Sequence, residues 1–137
     1  MEKILVSRCL LGEKCRYDGK TVPDESVIAL HQDHILVPVC PEMLGGLSCP
    51  RIPCERQKDG RVLSKDGQDR TAEYTKGAEE ALRICREEGC KKAILKARSP
   101  SCGAGKIYDG TFTGTLCEGN GVTAELLMNN GIEVENR

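Results

Sequence analysis

Residues 71–96 read TAEYTKGAEEALRICREEGCKKAILK. Tyr74, Ala78, Ala81, Leu82 and Cys85 recur at i, i+4, i+7, i+8 and i+11, which puts them on one face of a helix. The spacing predicts a helix over 71–88, and Gly89 suits its left-handed C-terminal stop. Residues 92–96 follow with the apolar run Ala93-Ile94-Leu95, which fits a strand buried on both faces. Helix, glycine stop and buried strand in direct succession make an αβ unit, and that unit sets the expectation for the rest of the chain.

The same grammar recurs on both sides of it. Lys3 to Ser7 contains Ile4-Leu5-Val6 and reads as a first buried strand, followed by a turn-rich loop from Arg8 to Gly19. Pro23-Asp24-Glu25-Ser26 opens a short helix with acidic residues in its first turn, where the helix dipole favours them. His34 to Val39 reads as a second strand, and its Pro38 places it at a sheet edge or gives it an irregular end. Residues 40–67 are rich in Pro and Gly and read as a long functional loop, with Val62-Leu63 in a small hairpin. Downstream, Ser99 to Asp109 reads as a loop and Thr111 to Leu116 as a short extended piece. Asn120 to Asn130 is expected to be a helix with Val122, Leu126 and Leu127 inward, and Ile132 to Glu135 a last strand. Short apolar strands alternating with helices predict a three-layer α/β/α fold with a mostly parallel, Rossmann-like sheet, as one domain over residues 1–137.

Composition narrows the function. Twenty Lys and Arg against 21 Asp and Glu leave a net charge of -1, which argues against a basic nucleic-acid arm or an acidic tail. With three Tyr, one Phe and no Trp, the core must be aliphatic, and a single-strand stacking platform has little to work with. No secretory leader or membrane span is read, so a soluble cytoplasmic protein is expected. Nine cysteines are the anomaly. A reducing cytoplasm disfavours a disulfide framework, and an odd count disfavours a closed one, so some of these thiols are expected to carry chemistry.

No C-x-x-C occurs, which removes both the common zinc spacing and the thioredoxin motif. Cys85 lies on the apolar face of its helix and Cys90 at the helix-to-strand joint, so both read as core packing. Cys9, Cys40 and Cys102 instead follow three separate strands, and ligands in parallel sheets sit beyond the strands' carboxyl ends. Three thiolates meeting there suit an iron–sulfur cluster, or a metal that keeps one position open. Cys15, Cys49, Cys54 and Cys117 also lie in loops and stay open as rivals, Cys15 and Cys49 foremost. Gly103-Ala-Gly-Lys106 fails as a P-loop, since Pro100 and Ile107 stand at required positions. His31 and His34 read as surface residues.

Several segments, taken in order, resemble the DUF523 family over nearly the whole chain. They are Cys9-Leu-Leu-Gly12, Arg16-Tyr-Asp-Gly19, Cys40-Pro-Glu42, Gly45-Gly-Leu47, Pro50-Arg51, Ser99-Pro-Ser-Cys-Gly103, Ile107-Tyr-Asp-Gly110 and Gly121-Val-Thr-Ala124. That family includes thiouracil desulfidases. The resemblance implies an α/β fold and a [4Fe-4S] cluster on three cysteines, matched here by Cys9, Cys40 and Cys102. It also implies an open iron that takes a thiocarbonyl sulfur in a non-redox desulfuration. The expected substrate is a small thiopyrimidine: thiouracil, 4-thiouridine or its monophosphate. Beside such a cluster, Glu42 is expected to act as general acid/base and Ser101 as proton relay or donor. Ser99, Arg16, Arg51, Gly45 and Gly103 are expected to contact substrate, with Lys96 a further candidate for an anionic group. A monomer or homodimer, without membrane or large nucleic-acid partners, completes the expectation. The competing reading is a non-catalytic metal-binding module holding zinc or an iron–sulfur cluster.

Overall fold

The structure, a computed structural model, describes all 137 residues. A four-stranded parallel sheet is built from β1 (Lys3–Ser7), β2 (Ile35–Val39), β5 (Lys92–Leu95) and β8 (Glu133–Asn136), in the order β2-β1-β5-β8. Two antiparallel hairpins interrupt the winding: β3 (Cys54–Arg56) with β4 (Val62–Ser64), and β6 (Lys106–Tyr108) with β7 (Leu116–Glu118). The helices are α1 (Glu25–Ile28), α2 (Pro41–Leu44), α3 (Thr71–Glu88) and α4 (Val122–Asn129). Short 3-10 turns follow β1 and α1.

Side chains on adjacent strand positions point to opposite faces, and the central strands are buried on both. Leu5, Ala93 and Leu95 meet Leu82, Cys85, Ala124 and Leu127 of α3 and α4. Ile4, Val6 and Ile94 meet Val27 of α1 and the loop after β1. These two cores on one sheet make the α/β/α arrangement, with a thin layer on the α1 side. Pro38 pairs opposite Val6 on an edge strand, where its missing N–H leaves no inner ladder unsatisfied. Cys85, on the apolar face of α3, and Cys90, at the joint between α3 and β5, are both buried in the first core, as expected.

Three expectations change. The loop after β2 begins with α2, four residues that are too few for periodicity to reveal; Pro41 at its first turn and Glu42 after it are the local signal. The loop expected over 99–109 contains β6. The piece expected to extend over 111–116 is instead the turn of the β6–β7 hairpin, with β7 starting only at Leu116. Thr111, Thr113 and Thr115 have strand-like side chains, but Gly110 and Gly114 take positive φ and bend the chain between them. In α4 the fully buried face is Thr123, Ala124 and Leu127, with Val122 and Leu126 only partly covered.

α2 crosses α3 backbone to backbone. A Cβ on Gly45 would lie 1.9 Å from the Glu73 carbonyl oxygen, and one on Gly77 would lie 1.9 Å from that of Pro41. This crossing fixes α2, and with it Glu42, against α3. An exposed helical Gly→Ala change normally stabilises by about 1 kcal/mol. Here the overlap reverses the sign, and Gly77→Ala is expected to destabilise by about 3 kcal/mol in urea unfolding. A stabilised Gly77→Ala protein would disprove the close crossing.

Candidate active site

The parallel sheet reverses its winding at β1: the chain passes from β1 to β2 on one side, then crosses back to β5 on the other. In open parallel sheets a crevice forms at such a point, beyond the carboxyl ends of the strands. A cavity of about 540 Å³ lies there. Cys9, just past β1, Cys40, just past β2, and Cys102, in the loop after β5, all line it and are all buried.

Each cysteine is held by its own loop. The Cys9 carbonyl accepts from Thr21 Oγ1 at 2.9 Å. Cys40 caps α2, and its thiol donates to the Cys15 carbonyl at 3.8 Å. The Cys102 loop is tied at several points. Ser99 Oγ accepts from the Cys102 N–H at 2.6 Å and the Ser101 N–H at 3.1 Å. Asn136 Nδ2 donates to the Cys102 carbonyl at 3.0 Å, and Ser7 Oγ donates to the Cys102 thiol at 3.6 Å. Burial, with the nearby Glu42 carboxylate second, pushes the Cys102 thiol up to about 12. Cys40 is pushed well above the ordinary thiol range, first by its contact with the Cys15 thiol and then by burial. The Cys40 and Cys102 thiols therefore keep their protons, and any metal bound there must displace them.

Glu42 stands at the same wall. Tyr74 Oη donates to Glu42 Oε2 at 2.8 Å, and Arg51 Nη2 forms an ion pair with that oxygen at 3.1 Å. Arg51 in turn donates through Nη1 to the carbonyls of Ser48 at 3.1 Å and Cys15 at 3.3 Å. Burial lowers the Arg51 guanidinium, but Glu42 and its neighbours outweigh it and leave it raised. Burial chiefly, then Glu42, pushes the Tyr74 hydroxyl far above its ordinary value, so it is a donor at any working pH. Oε1 of Glu42 has no partner and is not enclosed. The carboxylate is thus anchored by one oxygen and has the other free.

Of the residues expected from sequence, Cys9, Cys40, Cys102, Glu42, Ser99, Arg16, Arg51 and Lys96 all border the cavity. Burial lowers the Lys96 ammonium below its ordinary value. Ser101, Gly45 and Gly103 do not border it. The Ser101 hydroxyl is paired with Thr123 Oγ1 at 2.8 Å and is 1% exposed, so it ties the Cys102 loop to α4. Gly45 belongs to the helix crossing, and a Cβ on Gly103 would meet Ile107 at 2.7 Å. Among the rival thiols, Cys15 and Cys54 border the cavity. Cys49 instead donates to the carbonyls of Lys14 and Arg16, and Cys117 lies on β7. Sequence reasoning missed Tyr74, which it placed in the core, and also Glu55, Tyr108 and Phe112. The signal for Tyr74 was chemical: a buried tyrosine hydroxyl needs a partner.

As the side chains stand, no three His, Cys, Asp or Glu are close enough to share one ion. A tetrahedral zinc needs its thiolates about 3.8 Å apart. A cubane is less demanding, because each thiolate binds a different iron. Soft thiol donors from three separate loops around one cavity, too far apart to share one ion, fit a multinuclear cluster better than a single ion.

Fold and site together define an α/β protein whose winding reversal carries a cysteine-walled cavity with an anchored carboxylate. Residues 4–137 match the family model of 2-thiouracil desulfurase, and the chain belongs to that family. It is 41% identical to the Bacillus subtilis (strain 168) protein YbbK, over 96% of this chain and 93% of that one. It is also similar to a solved structure of the [4Fe-4S]-dependent thiouracil desulfidase TudS, with a TM-score of 0.93 and 45% identity, over 100% of this chain and 91% of the other.

Proposed function

We propose that this protein is a cytoplasmic thiouracil desulfidase that replaces a thiocarbonyl sulfur by oxygen without net electron transfer. The observation that carries this reading is the convergence of Cys9, Cys40 and Cys102 from three strand ends on one cavity that Glu42 also borders. In this reading the three cysteines hold a [4Fe-4S] cluster. Bound there, the cluster supplies a Lewis-acidic iron without a protein ligand, suited to a soft thiocarbonyl sulfur.

The chain's own residues handle water and protons. Glu42 Oε1 takes a proton from the water that attacks the thiocarbonyl carbon, while Arg51 and Tyr74 hold Oε2 in place. The carbon gains the water oxygen and loses sulfur as hydrosulfide, so one water is consumed and one C–S bond becomes C–O. Ser99 holds the Cys102 loop in position, and Ser101 anchors it from behind through Thr123. Arg16 and Lys96 border the cavity and suit a phosphate, which extends the substrate range to 4-thiouridine and its monophosphate.

The test is anaerobic reconstitution with iron and sulfide, followed by an assay of 2-thiouracil and 4-thiouracil loss and hydrosulfide release. Broad visible absorption together with turnover is the expected result. A protein that binds no iron–sulfur cluster, or binds one and consumes no thiopyrimidine, would overturn the reading.

A further inference from the structure

The four aromatic side chains of this protein, Tyr17, Tyr74, Tyr108 and Phe112, all line the cavity, and the two cores against the parallel sheet contain none. Aromatic rings bury more apolar surface than other side chains, so their absence from both large cores and presence around one cavity points to a planar ligand. Two of the four are otherwise engaged. The Tyr74 hydroxyl is bonded to Glu42 and the side chain is 2% exposed, and the Arg16 guanidinium lies over the Tyr17 ring, 5.8 Å from its centroid. Tyr108 and Phe112, on the β6–β7 hairpin, are left.

Phe112 is the more constrained. Its φ is 58°, the left-handed region that a bulky side chain adopts only under strain. The surrounding structure imposes that conformation. Glu55 on β3, 8% exposed, accepts from the N–H of Gly110 at 2.9 Å and from the N–H of Phe112 at 3.1 Å, both on Oε1. Gln57 adds a bond to the Gly110 carbonyl at 3.3 Å. Glycines occupy positions 110 and 114 of the same turn with positive φ. A glycine at 112 would make this turn without strain, so the turn itself has no need of a ring there. A buried carboxylate holding a strained aromatic residue at a cavity wall is a device for aiming that ring.

We propose that Phe112 is the stacking face for the heteroaromatic ring of the substrate and that Glu55 is its positioning residue. This rests on the function proposed above and names the residue that recognises the substrate's π face. Stacking of this kind senses the flat ring and not the groups on its edge, so it accepts different positions of the thiocarbonyl.

Phe112 is the only phenylalanine, so ring-labelled phenylalanine gives one set of resonances in the anaerobically purified protein. Added uracil is expected to shift those resonances and to have its own ring protons moved upfield. In steady-state assays with 2-thiouracil, Phe112→Leu is expected to raise KM roughly tenfold with kcat within about threefold, while Phe112→Trp stays near the parent. Thermal melting of each variant checks that the fold is kept. A Phe112 signal indifferent to uracil, or a Phe112→Leu enzyme with unchanged KM, would overturn the assignment. Uracil that shifts the Phe112 ring in a protein that desulfurates nothing would leave the stacking face standing and remove the desulfidase reading.

Discussion

Replacing Cys9, Cys40 or Cys102 singly with Ala is expected to abolish retention of an iron–sulfur cluster and, with it, thiouracil turnover. The three thiols come from loops after three different strands and all line the one cavity, so each is expected to supply its own ligand. Losing one leaves two protein ligands on the cluster, and metal sites of this kind depend steeply on ligand number. The informative control is Cys15→Ala. Cys15 is buried at the same wall and touches Cys40, yet it lies in the loop between β1 and α1 and not at the head of a strand. Iron and sulfide content after anaerobic purification, read with visible absorption, should fall to background in the three single variants and persist in Cys15→Ala. If Cys15→Ala loses the cluster and Cys40→Ala keeps it, the ligand set is wrong. A cluster retained after all three changes would remove the assignment altogether.

Glu42→Gln is expected to lower kcat by about 1,000-fold, as loss of a general acid/base commonly does, with cluster content unchanged. Glutamine keeps the shape and can still accept from Tyr74, but it cannot take up and return a proton. Because both anchors end on Oε2, the loss is chemical and not positional. Tyr74→Phe separates the two. It leaves the carboxylate and removes one anchor, and a fall of roughly tenfold in kcat is expected, about the value of one hydrogen bond to a charged group. The pair is read by steady-state kinetics alongside iron content. Full turnover in a cluster-bearing Glu42→Gln protein would take Glu42 out of the chemistry, and a Tyr74→Phe effect as large as that of Glu42→Gln would mean that Tyr74 itself reacts.

The elements that were legible in the sequence are those set by short-range pattern. The helix over Thr71–Glu88 was written in its apolar spacing and its terminal glycine, which takes φ of 74° as its stop. Ile4-Leu5-Val6 and Ala93-Ile94-Leu95 were legible as buried strands because nothing polar interrupts them. The three cysteines were legible as a group because a parallel sheet sends every strand's carboxyl end to one edge. Once the strands were placed, Cys9, Cys40 and Cys102 fell at that edge, while only the fold shows that Cys15 and Cys54 border the same cavity.

What was not legible depends on segments far apart in the chain. Gly45 reads as a loop glycine free to approach a ligand, and only the crossing with Gly77 shows that it faces a helix backbone. Ser101 reads as a hydroxyl beside a ligand cysteine, and only the fold shows that it is buried and paired with Thr123. Tyr74 sits on a helix face that reads as core, and its hydroxyl acquires a role through Glu42, 32 residues earlier. Phe112 depends on Glu55, 57 residues earlier. The sequence by itself determined the α/β architecture and the sheet edge beyond which Cys9, Cys40 and Cys102 would lie, because periodicity and strand direction are properties of neighbouring residues. Only the tertiary structure decided which polar side chains face the cavity and which brace it, because a hydrogen bond or a close backbone approach is chosen by whichever distant segment packs alongside.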